Sequence, residues 1–387
     1  MERYIPRHFD NLQNLMIPKR ATVLCGPCGV GKTTLINHYL ASSTGRTGEG
    51  SFREARVLRA SGNNLLERSL LSSQEARVLL EWVSGYDTVF IDEAQRIPDI
   101  GWALKTLIDS RPELTIIVAG SSNFDLANKF GEPLTERQIP VILFPLSAGE
   151  LRATMNDFEL RQNLEDLLVF GMYPEVRTCV FADEKKKILN EFAGSYLLKD
   201  ILETEGIKKP RILVNLLILI ALQIGNEVSL HKLGGKLGID MKTVERYLDL
   251  LEKHFVLYNL RGFSRNLRNE VTRTSKYYFY DTGIRNTVIK NFNPLSLRND
   301  ASVLWENFMV IERLKTRSYN NIYARDYFWR TWEKQGIDLL EEYEGSLHAL
   351  EFKWSAEKAA KPPPAFRQSY PDASYKAVSP DNFLECI

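Results

Sequence analysis

Residues 24–34 read LCGPCGVGKTT, and two kinds of chemistry overlap in them. Cys25 and Cys28 have the spacing of a redox dithiol, ahead of a helix-prone run that would lower a thiol pKa. Gly26, Pro27, Cys28, Gly29, Val30, Gly31, Lys32 and Thr33 also match the full Gly-x-x-x-x-Gly-Lys-Thr spacing of a phosphate-binding loop. The longer pattern is the more demanding, and a dithiol leaves Gly31, Lys32 and Thr33 unexplained. The phosphate reading explains each position. The glycines let backbone N–H groups crowd around phosphate oxygens. The helix predicted over KTTLINHYL turns its positive end toward an anion. Lys32 is expected to reach the terminal phosphates and Thr33 to set its hydroxyl on Mg²⁺, with Thr34 closing the binding stretch. ATP and Mg²⁺ are the expected ligands, and oxidation of Cys28 would block them.

Such a loop needs a metal-holding acid at the end of a neighbouring strand. The run YDTVFIDEAQRI supplies Asp92 and Glu93 after a predicted buried strand, at the strand end where open α/β sheets bind ligands. Asp92 is expected to hold Mg²⁺ and Glu93 to polarise the attacking water. A further strand, LTIIVAGSSN, ends in Ser121, Ser122 and Asn123, any of which could contact the phosphate or the water. Arg137 precedes another β-prone run and could stabilise transferring charge, in its own chain or a neighbour's.

A second constellation lies near the end of the chain. Asp338 opens one β-prone run, and Glu351 and Lys353 share a face of the next, since side chains alternate along a strand. Glu306 lies on the helix predicted over ASVLWENFMVIERLKTR. Helix-Glu, strand-Asp and strand-Glu-x-Lys is the ligand order of a PD-(D/E)XK nuclease. There Glu306, Asp338 and Glu351 would bind Mg²⁺, and Lys353 would position a water or stabilise developing charge.

Several elements must carry these residues. At 387 residues the chain is too long for one ordinary core. A net charge of +1 gives no sign of a strongly basic nucleic-acid binder, although a balanced total can hide local basic patches. Four cysteines make no disulfide framework. The opening MERYIPRHFDNLQNLMIPKR has no apolar core of the kind a secretory signal needs. The apolar run ILVNLLILIALQIG falls short of the roughly 20 residues of a membrane span. A cytoplasmic protein with no membrane contact is expected. Between the two constellations, residues 150–209 have helical periodicity. They are followed by an apolar helix, VSLHKLGGKLGI, a turn, MKTVERYLDLLEKHF and a β-prone VLYNL. That order is expected for a winged helix-turn-helix, with Lys242, Thr243, Glu245 and Arg246 opening its recognition helix.

VLCGPCGVGKTTL, TVFIDEAQRIPD, IIVAGSSN and LTERQIPVILFPLSAGEL, in that order, resemble the AAA+-type ATPases found widely in bacteria and archaea. Asn123 and Thr135-Glu136 depart from that pattern, and in GMYPEV Met172 stands where the family has a second glycine. KYYFYDTG, ENF, GID and EFK resemble the C-terminal domain of restriction-endonuclease-like fold that is regularly fused to these ATPases. The resemblance implies an α/β fold in four parts: a P-loop ATPase over 1–148, a helical lid over 149–208, a winged helix over 209–265 and a restriction-endonuclease-like domain over 266–387. The function expected is a Mg-ATP-binding ATPase coupled to a DNA-associated, nuclease-like domain. The alternative is a nucleotide-controlled switch that docks a protein partner, its nuclease-like domain inactive. A homo-oligomer fits either.

Overall fold

The runs Ala21–Cys25, Thr88–Asp92 and Thr115–Gly120 are nearly continuous in apolar residues, as strands covered on both faces must be. The computed structural model describes residues 4–42, 56–121, 137–197, 201, 207, 209–263, 274–331, 333, 335–355 and 361–387. In it these runs form β1 (Ala21–Cys25), β3 (Thr88–Asp92) and β4 (Thr115–Gly120). With β2 (Val57–Ser61) and β5 (Gln138–Ile142) they make a five-stranded parallel sheet in the order β2-β3-β4-β1-β5. Helix α1 (Lys32–Ser42) follows β1, and α2 (Ile100–Ser110) leads into β4. Ile100, Ala103, Leu104, Leu107 and Ile108 form the buried stripe of α2 at helical spacing. Each large side chain buried there stabilises the fold by about 1.5–3 kcal/mol.

The chain divides into two compact units, one of Pro6–Phe144 with Lys253–Phe255, the other of Met1–Ile5, Pro145–Glu252 and Val256–Ile387. The first holds the parallel sheet. In the second, the segments expected as lid, winged helix and C-terminal domain are joined in one body. Its sheet has seven strands: β6 (Glu227–Val228), β7 (Leu257–Gly262), β8 (Ser275–Phe279), β9 (Arg325–Arg330), β10 (Gly336–Tyr343), β11 (Ser346–Phe352) and β12 (Ser374–Val378). Their order is β12-β11-β10-β9-β7-β8-β6. The expected border at 265/266 therefore falls between two paired strands, with Leu257 opposite Phe279 and Arg261 opposite Ser275. β7 also runs parallel to β9, Arg261 beside Tyr327. A strand edge left open by one module has been closed by the next, a pairing that periodicity cannot announce.

Before β7 come α3 (Leu164–Phe170), α4 (Pro210–Ala221), α5 (Leu230–Leu237) and α6 (Met241–Lys253). After β8 come α7 (Thr282–Val288) and the long α8 (Ala301–Tyr319). Two motifs meet between α3 and α7. Asp281 accepts from Met172 N (2.6 Å) and Ile284 N (3.1 Å). A Cβ at Gly171, whose φ is +74°, would lie 2.0 Å from Asp281 Oδ1. Thr282 Oγ1 donates to Leu167 O, which also accepts from Gly171 N, while Asn286 Nδ2 donates to Leu168 O and Val169 O, carbonyls that the end of α3 leaves open. Met172 enters this joint through its backbone N–H, so a second glycine is not needed there. GMYP and YDTG are thus two halves of a packing contact.

Candidate functional site

The phosphate loop begins where β1 ends. Gly26, Gly29 and Gly31 have φ of +155°, +81° and +89°. At Gly26 a Cβ would stand 2.1 Å from Leu143 O, because the loop runs against the chain leaving β5. Leu143 N donates to Cys25 O at 2.8 Å. Buried Arg7 holds the loop from beneath, donating to Val30 O (2.6 Å) and Phe144 O (2.7 Å). No motif marks Arg7, since its partners are 23 and 137 residues away. Lys32 Nζ donates to the carbonyls of Gly26 (2.8 Å) and Pro27 (2.9 Å). Burial pulls the Lys32 ammonium below its ordinary pKa, opposed by Cys28, Glu93, Asp92 and Cys25. Cys28 is half-buried and Val30 buried, while Gly29, Thr33 and Thr34 are exposed. Pro27 is buried.

The acidic pair is brought to this loop. Thr33 Oγ1 donates to Asp92 Oδ2 at 2.8 Å across 59 residues. Asp92 Oδ1 accepts from Glu93 N at 2.9 Å. Glu93 has φ +52°, a left-handed conformation that costs a non-glycine residue about 1–3 kcal/mol and concentrates at functional sites. Its carboxylate is held from the side by a residue outside the expected set. Gln95 Nε2 donates to Glu93 Oε2 (2.7 Å) and to Ser121 Oγ (2.7 Å), while Ser121 N donates to Gln95 Oε1 (3.3 Å). Gln95 and Ser121 are both buried. Arg96 Nε lies 3.7 Å from Glu93 Oε2. The signal for Gln95 was in the sequence: it stands two residues past Glu93, on the acidic motif itself.

Other expected residues are not gathered here. Arg137 pairs with Asp109, and its carbonyl accepts from Ala21 N, at the start of β1 and β5. The loop leaves the opposite end of those parallel strands, so Arg137 does not serve this loop from within its own chain. Ser122 and Asn123 lie outside the described residues. Cys25 is the buried last residue of β1, and burial pushes its thiol up to about 12 against the pull of Lys32. A thiol buried and raised in this way is a poor nucleophile, which weighs against the dithiol reading.

In the other unit, Glu306 is on α8, Asp338 on β10 and Glu351 on β11, with Lys353 just past the strand. The β9–β10 register shifts between Ile337 and Leu340, and this irregularity flanks Asp338. Asp338 Oδ2 accepts from Phe352 N at 2.9 Å. Burial, then repulsion from Glu306 and Glu351, push its carboxyl up to about 8. Lys353 Nζ donates to Glu351 Oε1 at 2.6 Å, and Glu351 Oε2 is buried with no hydrogen-bond partner. Glu306 Oε1 accepts from Tyr278 OH (2.6 Å) and Lys276 Nζ (3.1 Å). The expected metal set needs correction. Among the described residues no three His, Cys, Asp or Glu side chains are grouped to hold a metal ion. Glu306 is turned to Lys276 and Tyr278 instead.

Known proteins bear on both units. Residues 18–152 match an AAA domain, and residues 302–382 match a domain of unknown function, DUF4143. Residues 161–295 match another domain of unknown function, DUF8612. The chain thus carries a P-loop-type AAA domain ahead of a DUF4143 domain. It is 25% identical over 336 residues to uncharacterized protein Rv2008c of Mycobacterium tuberculosis, covering 86% of this chain and 69% of that protein. An uncharacterized protein of Haemophilus influenzae is 28% identical over 273 residues, 66% of this chain and 62% of its own. MJ1544 of Methanocaldococcus jannaschii, also uncharacterized, is 24% identical over 253 residues, and this chain spans 56% of its length. A chain from the structure of Drosophila ORC bound to DNA aligns at 12% identity, covering 73% of this chain and 94% of its own, with a TM-score of 0.25. That superposition is too loose to bear on fold or function. No helix among the described residues is long and apolar enough to cross a membrane.

Proposed function

We propose that this protein is a Mg-ATP-dependent ATPase whose nucleotide site is the Gly26–Thr34 loop with Asp92 and Glu93. The observation that carries it is the Thr33–Asp92 hydrogen bond, 2.8 Å, which joins the end of the loop to the end of β3. Lys32 is folded over the loop on two carbonyls, a buried ammonium with a triphosphate within its chemistry. The fit to Mg²⁺ rests on the same atoms: Thr33 and Asp92 together form a hydroxyl–carboxylate pair suited to a hard cation. When bound, Mg²⁺ neutralises phosphate charge. The rest is the work of the chain. Loop N–H groups and Lys32 orient the phosphates, and Glu93 takes the proton of an attacking water. Gln95 and Ser121 hold Glu93 at its angle. If an arginine finger operates, Arg137 of a neighbouring copy is the candidate. A Mg-ATP titration with phosphate release tests this. Lys32→Ala is expected to abolish nucleotide binding and Glu93→Gln to keep binding while stopping turnover. Tight ATP affinity in Lys32→Ala would refute the site.

For the rest of the chain, the first reading is a DNA-associated, nuclease-like module, with α4–α6 and the β7–β8 hairpin as a winged helix. Its would-be recognition helix opens with exposed Lys242 and Arg246, but exposed Glu245 and Asp249 lie among them. The second reading is a switch, in which bound ATP favours one arrangement that docks a protein partner while the C-terminal domain cuts nothing. The pairing of Glu306 with Lys276 favours the second. Strand breaks in DNA or RNA with Mg²⁺ or Mn²⁺, lost in Glu351→Ala, would overturn it.

A further inference from the structure

We propose that the Lys276 ammonium is the resident cation of the Glu306–Asp338–Glu351 cluster, standing in for the divalent metal of a restriction-endonuclease-like site, and that the chain binds no metal there. The inference rests on the second reading above and gives it a physical cause. Glu306 and Glu351 crowd a buried Asp338 and raise its pKa, and carboxylates that have lost their water call for positive charge beside them. Two ammonium groups supply it. Lys353 lies 2.6 Å from Glu351 Oε1, and Lys276 lies 3.1 Å from Glu306 Oε1. Lys276 is 93% buried, so it is not a surface lysine drifting toward an acid. Its Nζ is also 5.4 Å from the ring centroid of Phe328 on β9, a second favourable contact for a cation.

Glu306 is engaged by other neighbours as well. Tyr278, two residues along the same face of β8, donates its hydroxyl to the same Oε1 at 2.6 Å. The Glu306 carboxylate packs on Gly225, where an added Cβ would lie 3.1 Å from Oε2. A carboxylate so engaged has little freedom to turn toward a metal shared with Asp338. A free divalent ion would also have to displace an ammonium that is covalently tethered and already ordered by the pairing of β8 with β7. The lysine is thereby also a tie, joining β8 to α8.

The test uses Mn²⁺ alone on the nucleotide-free full chain, read by electron paramagnetic resonance of free Mn²⁺ and by thermal unfolding. Wild type and Lys276→Arg are expected to show no Mn²⁺ site that Asp338→Asn removes. Lys276→Met is expected to unfold at a lower temperature, recover when Mn²⁺ is added, and bind one further Mn²⁺. In Lys276→Met/Asp338→Asn that binding should weaken at least about tenfold. An Asp338-dependent Mn²⁺ site in wild type overturns the proposal. So does a folded Lys276→Met that gains no Mn²⁺, or one that stays unfolded in its presence, since the ion then fails to replace the ammonium. Absence of an ATP-dependent partner would sink the switch reading and leave the lysine assignment standing.

Discussion

Gln95→Leu is expected to separate catalysis from binding at the proposed nucleotide site. The side chain is buried, and its amide nitrogen holds Glu93 Oε2 and Ser121 Oγ, each at 2.7 Å. Leucine keeps the volume and removes both of these bonds together with the one Oε1 accepts from Ser121 N. A hydrogen bond to a charged group contributes about 1.5–3 kcal/mol. If that energy serves to hold Glu93 at the angle it needs in the transition state, turnover falls about 10- to 150-fold, at 1.36 kcal/mol per decade. Lys32 and Thr33 do not touch Gln95 through the bonds described, so nucleotide affinity should change by less than about threefold, under 0.7 kcal/mol. Phosphate release at saturating ATP and equilibrium binding of a fluorescent ATP analogue measure the two quantities, with circular dichroism to confirm folding. Ser121→Ala removes one support of Gln95 and should show a smaller loss of the same kind. A folded Gln95→Leu with wild-type turnover refutes the reasoning. An equal loss of affinity and turnover refutes it as well, because the residue would then act through the loop.

Other expectations test the frame around the sites. Gly26→Ala forces a Cβ to within 2.1 Å of Leu143 O at a φ that side chains avoid, so it should cost about 2–6 kcal/mol from strain and overpacking together; an unchanged melting temperature would contradict the loop geometry. Glu252 on α6 is pushed up to about 7, first by burial and then by Asp249, with Asn259 opposing. Its folded-state pKa is raised, so stability should fall as pH climbs from 4.5 toward 7, and Glu252→Gln should flatten that slope in denaturant titrations. Burial alone would raise Asp300, but Arg298 and Arg285 outweigh it and hold the carboxyl at about 2. That stability is present above pH 3.8 and is lost as pH falls toward 2, so Asp300→Asn should remove this part of the acid transition.

The phosphate-loop pattern and the acidic pair could be read off the chain because each is one uninterrupted stretch. Gly26 to Thr33 needs only local backbone geometry and a helix start, and Asp92-Glu93 needs only the end of an apolar strand. The α/β class came with the resemblance of those motifs to AAA+-type ATPases. The placement of Glu306 on a helix and of Asp338 and Glu351 on strands followed from helix-prone and β-prone runs. What those residues touch did not. Spacing says which face a side chain occupies, whereas its neighbour is chosen by sheet order and helix docking across tens or hundreds of residues. Only the adjacency of β3 and β4 puts Gln95 beside Ser121, and only the loop's passage past Leu143 and Phe144 brings Arg7 beneath it. The parallel register of β1 and β5 sends Arg137 to the end away from the loop. One seven-stranded sheet absorbs a border drawn between two domains, and within it Lys276 reaches Glu306. Local chemistry determined which atoms could do work; the long-range packing decided which of them are already engaged with one another.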